Sequence, residues 1–191
     1  MAKSVLQKNW YDLVAPDIFD NEEVGQTPAE KDSMVGNRQI KVSLQDVMPS
    51  SDKYYMDVFL QVKDIDGNKA KTELVGHEVS KEYISKMINR RTDRIDHVFD
   101  VEAKDGGDIK VKLVAVTIKK ANSSAITSIR NKMEELVDEK ASKLGTEEFM
   151  EQIFNNEMQR EINSECKEIY PLKTVEFRKT EITPPGQLDG S

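Results

Sequence analysis

The chain has 191 residues, of which 37% are hydrophobic and 33% charged, and its formal net charge is −7. This length suits one domain with a substantial core, and the single cysteine, Cys166, excludes an internal disulfide framework. No apolar run approaches the roughly 20 residues that span a bilayer, and the N-terminal residues lack the apolar segment of a secretory signal. We therefore expect a cytoplasmic protein with no membrane partner.

The charge is distributed unevenly along the chain. Between Lys81 and Lys132 there are 12 Lys and Arg against 7 Asp and Glu, whereas residues 133–170 carry 4 against 11. A basic segment inside an acidic protein indicates a surface for an anionic partner, such as the phosphate chain of a nucleic acid. A solvated face that is rich in lysine explains the same count. Composition alone leaves both interpretations open.

The first half of the sequence predicts mainly strands. Residues 10–16 end at a proline and indicate a short extended strand, and the acidic residues 20–37 indicate a loop with at most one helical turn. Alternation of apolar and polar residues then predicts three strands, at 40–44, 54–62 and 70–74. The last two form a hairpin through Asp66-Gly67-Asn68, because Gly67 can adopt the positive φ that a tight turn needs.

The second half predicts a helix, a second β pair, two helices and a last strand. The first helix spans 79–91 with Ser80 as its cap, and the β pair comprises 95–103 and 109–119, with a bulge or bend from Val114. Two C-terminal helices follow. The first runs from about Ser124 to Leu144 and is ended by Gly145, and the second is capped by Thr146 and stopped by Pro171. The last element is a strand over 173–182.

Six or seven strands with about three helices predict an α+β fold. Its expected form is a small, mostly antiparallel β-barrel or curled sheet, flanked by about three helices, two of them C-terminal. The predicted organisation is an N-terminal extended segment and acidic loop over 1–37, a single-domain core over 38–182 and a disordered tail over 183–191.

No residue pattern indicates catalysis, a cofactor or a metal. His77 and Glu78 open a zincin pattern, but position 81 is Lys where the second His would have to stand. Asp64-Ile65-Asp66-Gly67 resembles a calcium loop without its final Glu ligand, so a hairpin turn explains it better. Cys166 lies on the apolar stripe of a predicted helix, where a buried structural thiol is commoner than a nucleophile. We expect a protein that is not an enzyme and holds no cofactor.

Ten basic residues form the predicted RNA-binding surface: Lys86, Arg90, Arg91, Arg94, Lys110, Lys112, Lys119, Lys120, Arg130 and Lys132. The three arginines within residues 90–94 follow a predicted helix, whose last carbonyls could occupy one of them but hardly all three. The lysine pair at 119–120 precedes a serine pair at 123–124 at a predicted helix start. That arrangement is typical of a phosphate seat, although an ordinary N-cap explains either serine alone.

Segments spread over the whole chain carry a resemblance to a known family: Trp10–Pro16 with Phe19, Glu73–Glu78, Tyr83-Ile84, Arg90–Thr92 with Ile95-Asp96, Ile129–Met133, Glu139–Ser142 and Ile169–Lys179. Together and in this order they resemble the S3Ae family of archaeal and eukaryotic small-subunit ribosomal proteins. The brevity of the chain makes it resemble the archaeal members.

The resemblance implies a structural constituent of the small ribosomal subunit, with a β-barrel core and flanking helices, located on the platform near the messenger-RNA exit. The implied partners are small-subunit ribosomal RNA, neighbouring small-subunit ribosomal proteins and messenger RNA near the exit. Family members usually carry a longer basic N-terminal arm and a more positive net charge. Here the arm is reduced to Lys3 and Lys8, so the central basic segment is the principal candidate for RNA contact.

Three alternatives fit the same sequence. The first is a free-standing, regulatory barrel protein that binds single-stranded RNA, in which Trp10 and Tyr11 would stack on bases instead of lying buried. The second is a protein-interaction module that acts through the acidic C-terminal helices. The third is an enzyme of unknown type, for which no acid, base or metal set is visible. In the favoured interpretation the ten basic residues contact phosphates, by charge and shape more than by base sequence.

Overall fold

A computed structural model describes residues 8–183, which pack into two compact units, one up to Val75 and one from Gly76. The strands in these residues are β1 (Asn9–Val14), β2 (Glu23–Ala29), β3 (Gln39–Ser43), β4 (Met56–Asp66), β5 (Lys69–Val79), β6 (Arg94–Glu102), β7 (Asp108–Thr117) and β8 (Leu172–Thr183). The α-helices are α1 (Leu44–Val47), α2 (Lys81–Met87), α3 (Ser123–Ala141), α4 (Thr146–Phe154) and α5 (Glu157–Cys166). Two short 3₁₀ turns lie at Asp17–Phe19 and Asp32–Met34. That residues 38–182 act as a single domain stays a prediction.

The first unit holds β1 to β4 and the first part of β5, in the spatial order β2-β1-β5-β4-β3. Strand β1 runs antiparallel to β2 and parallel to β5. Gly67, with φ of 61°, turns the chain from β4 into β5, which confirms the predicted hairpin. Apolar residues that alternate along these strands, among them Leu13, Val62 and Ala70, are buried in one cluster.

The predicted loop over 20–37 is wrong, because residues 23–29 form strand β2. This strand lies at an edge of the sheet and buries only Thr27 and Ala29, so its sequence shows little of the alternation that marks a half-buried strand. Pro28 is tolerated there because an edge strand leaves one row of backbone groups without a partner strand.

The second unit holds the end of β5 and strands β6 to β8, in the antiparallel order β5-β8-β7-β6. Gly76 allows β5 to approach β8, since its φ is +153° and a Cβ at this position would collide with the carbonyl oxygen of Thr180. The register of β7 against β8 shifts between Lys112 and Leu113, which leaves Arg178 as an extra residue on β8. The bulge or bend predicted near Val114 thus lies one residue earlier, with its extra residue on the partner strand.

Helices α3, α4 and α5 contact one another, and α3 also packs on β6 while α5 packs on β8. Their buried stripes supply the apolar layer against the sheet: Ile129, Met133, Val137, Phe149, Ile153, Met158, Ile162 and Cys166. Along β7, residues 113–117 are buried without interruption. Because successive side chains of a strand point to opposite faces, both faces of the sheet are covered there.

The last predicted helix is two helices in the structure. Asn156 adopts the left-handed conformation, with φ of 62°, and separates α4 from α5. Asparagine tolerates this conformation better than most residues, and the apolar stripe continues past it, so periodicity alone does not reveal the break. Gly145, not Thr146, is the N-cap residue of α4, and α3 ends at Ala141, before the predicted Leu144. The cap at Ser80 is confirmed, since its hydroxyl accepts a hydrogen bond from the N–H of Tyr83.

The α+β class is confirmed, and the barrel is not. Within residues 8–183 the strand path does not return to its first strand in either unit, so the sheet is not closed. The described helices number five where about three were expected, because α1 was not predicted and one C-terminal helix is divided. Thr183 belongs to β8, and the remainder of the predicted tail lies outside the described residues. None of the helices in the described range is long and apolar enough to cross a membrane.

Candidate nucleic-acid interface

Three strand ends of the second unit meet at one end of its sheet. Arg94 at the start of β6 lies opposite Val116 of β7, which in turn lies opposite Thr174 near the start of β8. Loop residues 88–93 enter the sheet here, and residues 118–122 leave it. Seven of the ten predicted residues lie on these loops, next to them or in contact with β6: Lys86, Arg90, Arg91, Arg94, Lys119, Lys120 and Arg130. We name this set the basic end.

Asp93 holds the two loops together. Its carboxylate accepts a hydrogen bond from Nζ of Lys120 at 2.7 Å and another from the backbone N–H of Ala121 at 2.8 Å. Its backbone N–H donates to the hydroxyl of Thr117 at 2.8 Å. The bond from Lys120, followed by that from Ala121, lowers the pKa of Asp93 below its ordinary value. Asp93 therefore stays ionised at neutral pH and fixes the chain that carries Lys119 and Lys120.

Asp96 positions two of the arginines. Nε and Nη2 of Arg94 both lie 2.7 Å from its carboxylate oxygens, in a bidentate pair. Nε of Arg130, in the second turn of α3, donates to the backbone carbonyl oxygen of Asp96 at 3.1 Å. The carbonyl bond occupies one donor of Arg130 without neutralising its charge, so both guanidinium groups keep further N–H donors.

Arg90 and Arg91 lie at the tip of a tight turn. The turn is closed by Thr92, whose backbone N–H and hydroxyl donate to the carbonyl oxygen of Asn89 while the hydroxyl accepts from the N–H of Asn89. The helix end before it does not use the arginines, because Nζ of Lys173 donates to the carbonyl oxygen of Met87 at 3.0 Å. The capping role considered for one arginine is thus taken by a lysine of β8.

Four cations of the basic end are exposed and, within residues 8–183, have no hydrogen-bond or ion-pair partner: Lys86, Arg90, Arg91 and Lys119. Arg94 and Lys120 are each paired with an aspartate, and Arg130 is held by a carbonyl. The basic end therefore combines fixed cations with unpaired ones, on loops that a polyanion can approach.

The other three predicted residues lie elsewhere in the second unit. Lys110 is opposite Asp100 on β6, six residues along the strand from Arg94, which corresponds to about 20 Å. Lys110 pairs with Asp100 at 3.8 Å and Lys112 with Glu181 at 3.2 Å. Lys132, on α3, pairs with Glu135 at 3.2 Å. These three lysines are thus separate from the basic end and partly neutralised.

Each histidine is engaged by polar groups of the described residues. His77 is buried, with Nδ1 2.6 Å from the hydroxyl of Thr180 and Nε2 2.9 Å from the carbonyl oxygen of Phe177. His97 pairs with Glu134 at 2.7 Å. In the described part of the chain, no group of three or more His, Cys, Asp or Glu side chains could hold a metal ion. Cys166 is buried as predicted, and burial raises the pKa of its thiol to about 11.

The predicted phosphate seat is an ordinary helix start. Asn122, not Ser123 or Ser124, is the N-cap residue of α3, and its side chain accepts from the N–H of Ala125 at 2.8 Å.

Of the two aromatic residues on β1, one is buried and one is exposed. Tyr11 is buried and donates its hydroxyl to Asp32, whereas Trp10 is 58% exposed.

Sequence reasoning missed three cations that lie on α2 or close to it. Lys173 caps α2, and Lys81 and Arg178 line a cavity beside this helix together with Arg94. Lys173 and Arg178 belong to β8, whose pairing with β7 and β5 brings them there from far along the chain. No local signal in the sequence reveals that pairing.

The family model of the ribosomal S3Ae family matches residues 2–185. The chain belongs to this family. It is similar to the small ribosomal subunit protein eS1 of Methanopyrus kandleri, with 35% identity over 179 residues that cover 92% of this chain and 85% of the relative. The eS1 proteins of Desulfurococcus amylolyticus and Methanococcus vannielii are both 34% identical, covering 92% and 94% of this chain and 82% of each relative. The resemblance read from the sequence is confirmed.

Two of the segments that carry the resemblance to the S3Ae family lie at the basic end. Arg90–Thr92 forms most of the exposed turn, and Ile129–Met133 contains Arg130, which binds the backbone of β6. The guanidinium groups of Arg90 and Arg91 can each offer two parallel N–H donors to a phosphate. Chemically, the arrangement is suited to holding the backbone of a nucleic acid.

Proposed function

We propose that this member of the S3Ae family is a structural constituent of the small ribosomal subunit and binds ribosomal RNA through the basic end. The observation that carries the proposal is the unpaired, exposed state of Arg90, Arg91 and Lys119 beside loops that Asp93 fixes. Relatives with 34–35% identity over most of the chain are named small ribosomal subunit protein eS1, which supports the same conclusion.

The basic end reads phosphate positions, not base sequence. Within residues 8–183 its cations are spread over two loops, the start of β6 and the helices α2 and α3, so no single helix or ribbon carries them into a groove. Double-stranded RNA is recognised largely by shape and by its phosphates, which suits this layout. Of the predicted contacts, those of Lys110, Lys112 and Lys132 would be the weakest, since each lysine is paired with a carboxylate and lies apart from the unpaired cations of the basic end.

Within the small subunit, the proposed location of the protein is the platform near the messenger-RNA exit, where it could also contact messenger RNA. The acidic outer faces of α4 and α5 are available to a neighbouring ribosomal protein of basic character, since Glu147, Glu148, Glu151 and Glu157 are all exposed. No enzymatic step is part of this role.

Sedimentation of native cell extract tests the proposal. We expect the protein to co-migrate with the small subunit at one copy per particle, and to be released as salt is raised, because phosphate contacts weaken with salt. A protein that stays at the top of the gradient at low salt, while other small-subunit proteins co-migrate with the particle, would contradict the proposal.

One alternative has an observation in its favour. Trp10 is exposed on β1, where it could stack on a base of single-stranded RNA, as the regulatory barrel protein would require. Such proteins stack successive bases on several aromatics, and Trp10 is the one large aromatic residue exposed in the described strands. Substituting Trp10→Ala should leave co-migration with the small subunit unchanged if the ribosomal role is correct.

A further inference from the structure

A cavity of about 250 Å³ lies between α2 and the sheet of the second unit. Its polar walls are formed by four charged side chains and one serine: Glu78, Lys81, Ser85, Arg94 and Arg178. The volume is smaller than the roughly 300–1,000 Å³ of sites for drug-sized ligands. The cavity therefore suits a single small group, such as one phosphate.

Arg178 gives the cavity an unsatisfied donor. It is the extra residue at the register shift of β8, and its Nε is buried without a hydrogen-bond partner in the described residues. No ion pair within 4.0 Å joins its guanidinium to a carboxylate in that part of the chain, although Glu78 lines the same cavity. Buried N–H donors are nearly always paired, so a partner from outside the chain is the natural explanation.

The charges of the cavity match one phosphodiester. Arg94 is neutralised by its bidentate pair with Asp96, which leaves Lys81 and Arg178 against Glu78. The excess is one positive charge, and a phosphodiester carries one negative charge, whereas inorganic phosphate and phosphate monoesters carry close to two at neutral pH. Ser85 adds a hydroxyl to the cavity wall. This hydroxyl donates its hydrogen to the carbonyl oxygen of Lys81 at 2.8 Å, so it can still accept a hydrogen bond but has little freedom to donate one elsewhere.

We propose that this cavity binds one backbone phosphodiester of RNA, with Lys81 and Arg178 as its principal contacts. The inference rests on the proposed RNA-binding function and adds to it two residues outside the predicted set. The bound strand would continue from the cavity to the basic end, since Arg94 belongs to both.

Salt titration of RNA binding by the full-length protein tests the contacts. Lys81→Gln and Arg178→Gln should each reduce the slope of log affinity against log salt by about 0.7–0.9, the value for one lost phosphate contact. Arg178→Lys keeps the charge without the Nε donor, and guards against a folding defect in the Gln variant. The matched control is Arg160→Gln, because Arg160 is exposed on α5 and has no side-chain partner in the described residues. Its slope should change by at most a few tenths.

Nuclear magnetic resonance separates the possible outcomes. The Nε–H signal of Arg178 should shift when a short oligouridylate is added, and less when inorganic phosphate is added. Shifts at Arg90 and Arg91 without one at Arg178 would overturn the cavity proposal and leave the RNA-binding function standing. A response of Arg178 to inorganic phosphate alone would overturn the assignment to a diester. If none of the three arginines responds to RNA, the proposed function fails together with the cavity.

Discussion

The two ends of the sheet in the second unit carry cations in different states of pairing. At the basic end, Arg90, Arg91 and Lys119 have no partner within residues 8–183. Toward the other end, Lys110 pairs with Asp100, and Lys112 and Lys179 share Glu181 at 3.2 and 2.8 Å. We name these three lysines the paired end. An anion that approaches the second group meets the carboxylates as well as the lysines. A count of basic residues therefore overstates the binding surface, and pairing decides which cations are available.

Removing the unpaired cations should have the largest effect. We expect Arg90→Gln with Arg91→Gln to reduce the salt slope of binding to small-subunit ribosomal RNA by about 1.4–1.8, for two lost phosphate contacts. Binding measured by filter retention or fluorescence anisotropy over a range of salt gives the slope. The matched variant, Lys110→Gln with Lys112→Gln, removes the same charge from the paired end and should change the slope by less than about 0.5. Equal slopes for the two double variants would contradict the distinction between the two ends.

Removing Glu181 should make the lysines of the paired end available to RNA. The carboxylate of Glu181 accepts hydrogen bonds from Lys179 and Lys112. These bonds, that from Lys179 first, lower the pKa of the carboxyl group, while burial acts in the opposite direction. In Glu181→Gln both lysines lose this partner, and the salt slope of binding to polyuridylate should rise by about 0.7 for each lysine that engages the RNA. Glu157→Gln makes the same charge change at an exposed position of α5 with no partner in the described residues, and should leave the slope unchanged. A slope in Glu181→Gln equal to that of the control would show that ion pairing is not what keeps these lysines from binding RNA.

Local signals in the sequence predict two of the hairpins. Hairpins β4–β5 and β6–β7 follow from alternation and a turn, because both signals are local. Strand β2 escapes prediction, since an edge strand buries few residues, and so does the break at Asn156, since the apolar stripe continues through it. The absence of closure is decided by pairings such as β7 with β8, which no local pattern reveals.

The candidate site divides in the same way. The clusters around Arg90 and Lys119 are visible in the sequence as runs of basic residues. Their loops are not, because the predicted helix 79–91 and strand 109–119 include Arg90 and Lys119, whereas α2 ends at Met87 and β7 at Thr117. Which cations are neutralised is decided by long-range partners: Asp93 and Lys120 are 27 residues apart, and Lys112 and Glu181 are 69 apart. Arg178 belongs to the cavity because of a register shift in β8, which its position in an alternating segment does not indicate.

The smallest predicted effect concerns the carboxylate that orders the basic end. Because its pKa is lowered in the folded protein, Asp93 stabilises the fold above its unfolded pKa of about 3.9, and this contribution is lost as the pH falls through the lower, folded value. We expect Asp93→Asn to reduce the melting temperature slightly at pH 7, since exposed ion pairs contribute little. The difference from the natural protein should shrink below about pH 4. Asp108→Asn, at an exposed position without a side-chain partner in the described residues, should show no such pH dependence. A difference for Asp93→Asn that is constant from pH 3 to 7 would mean that the ionised carboxylate does not hold the two loops together.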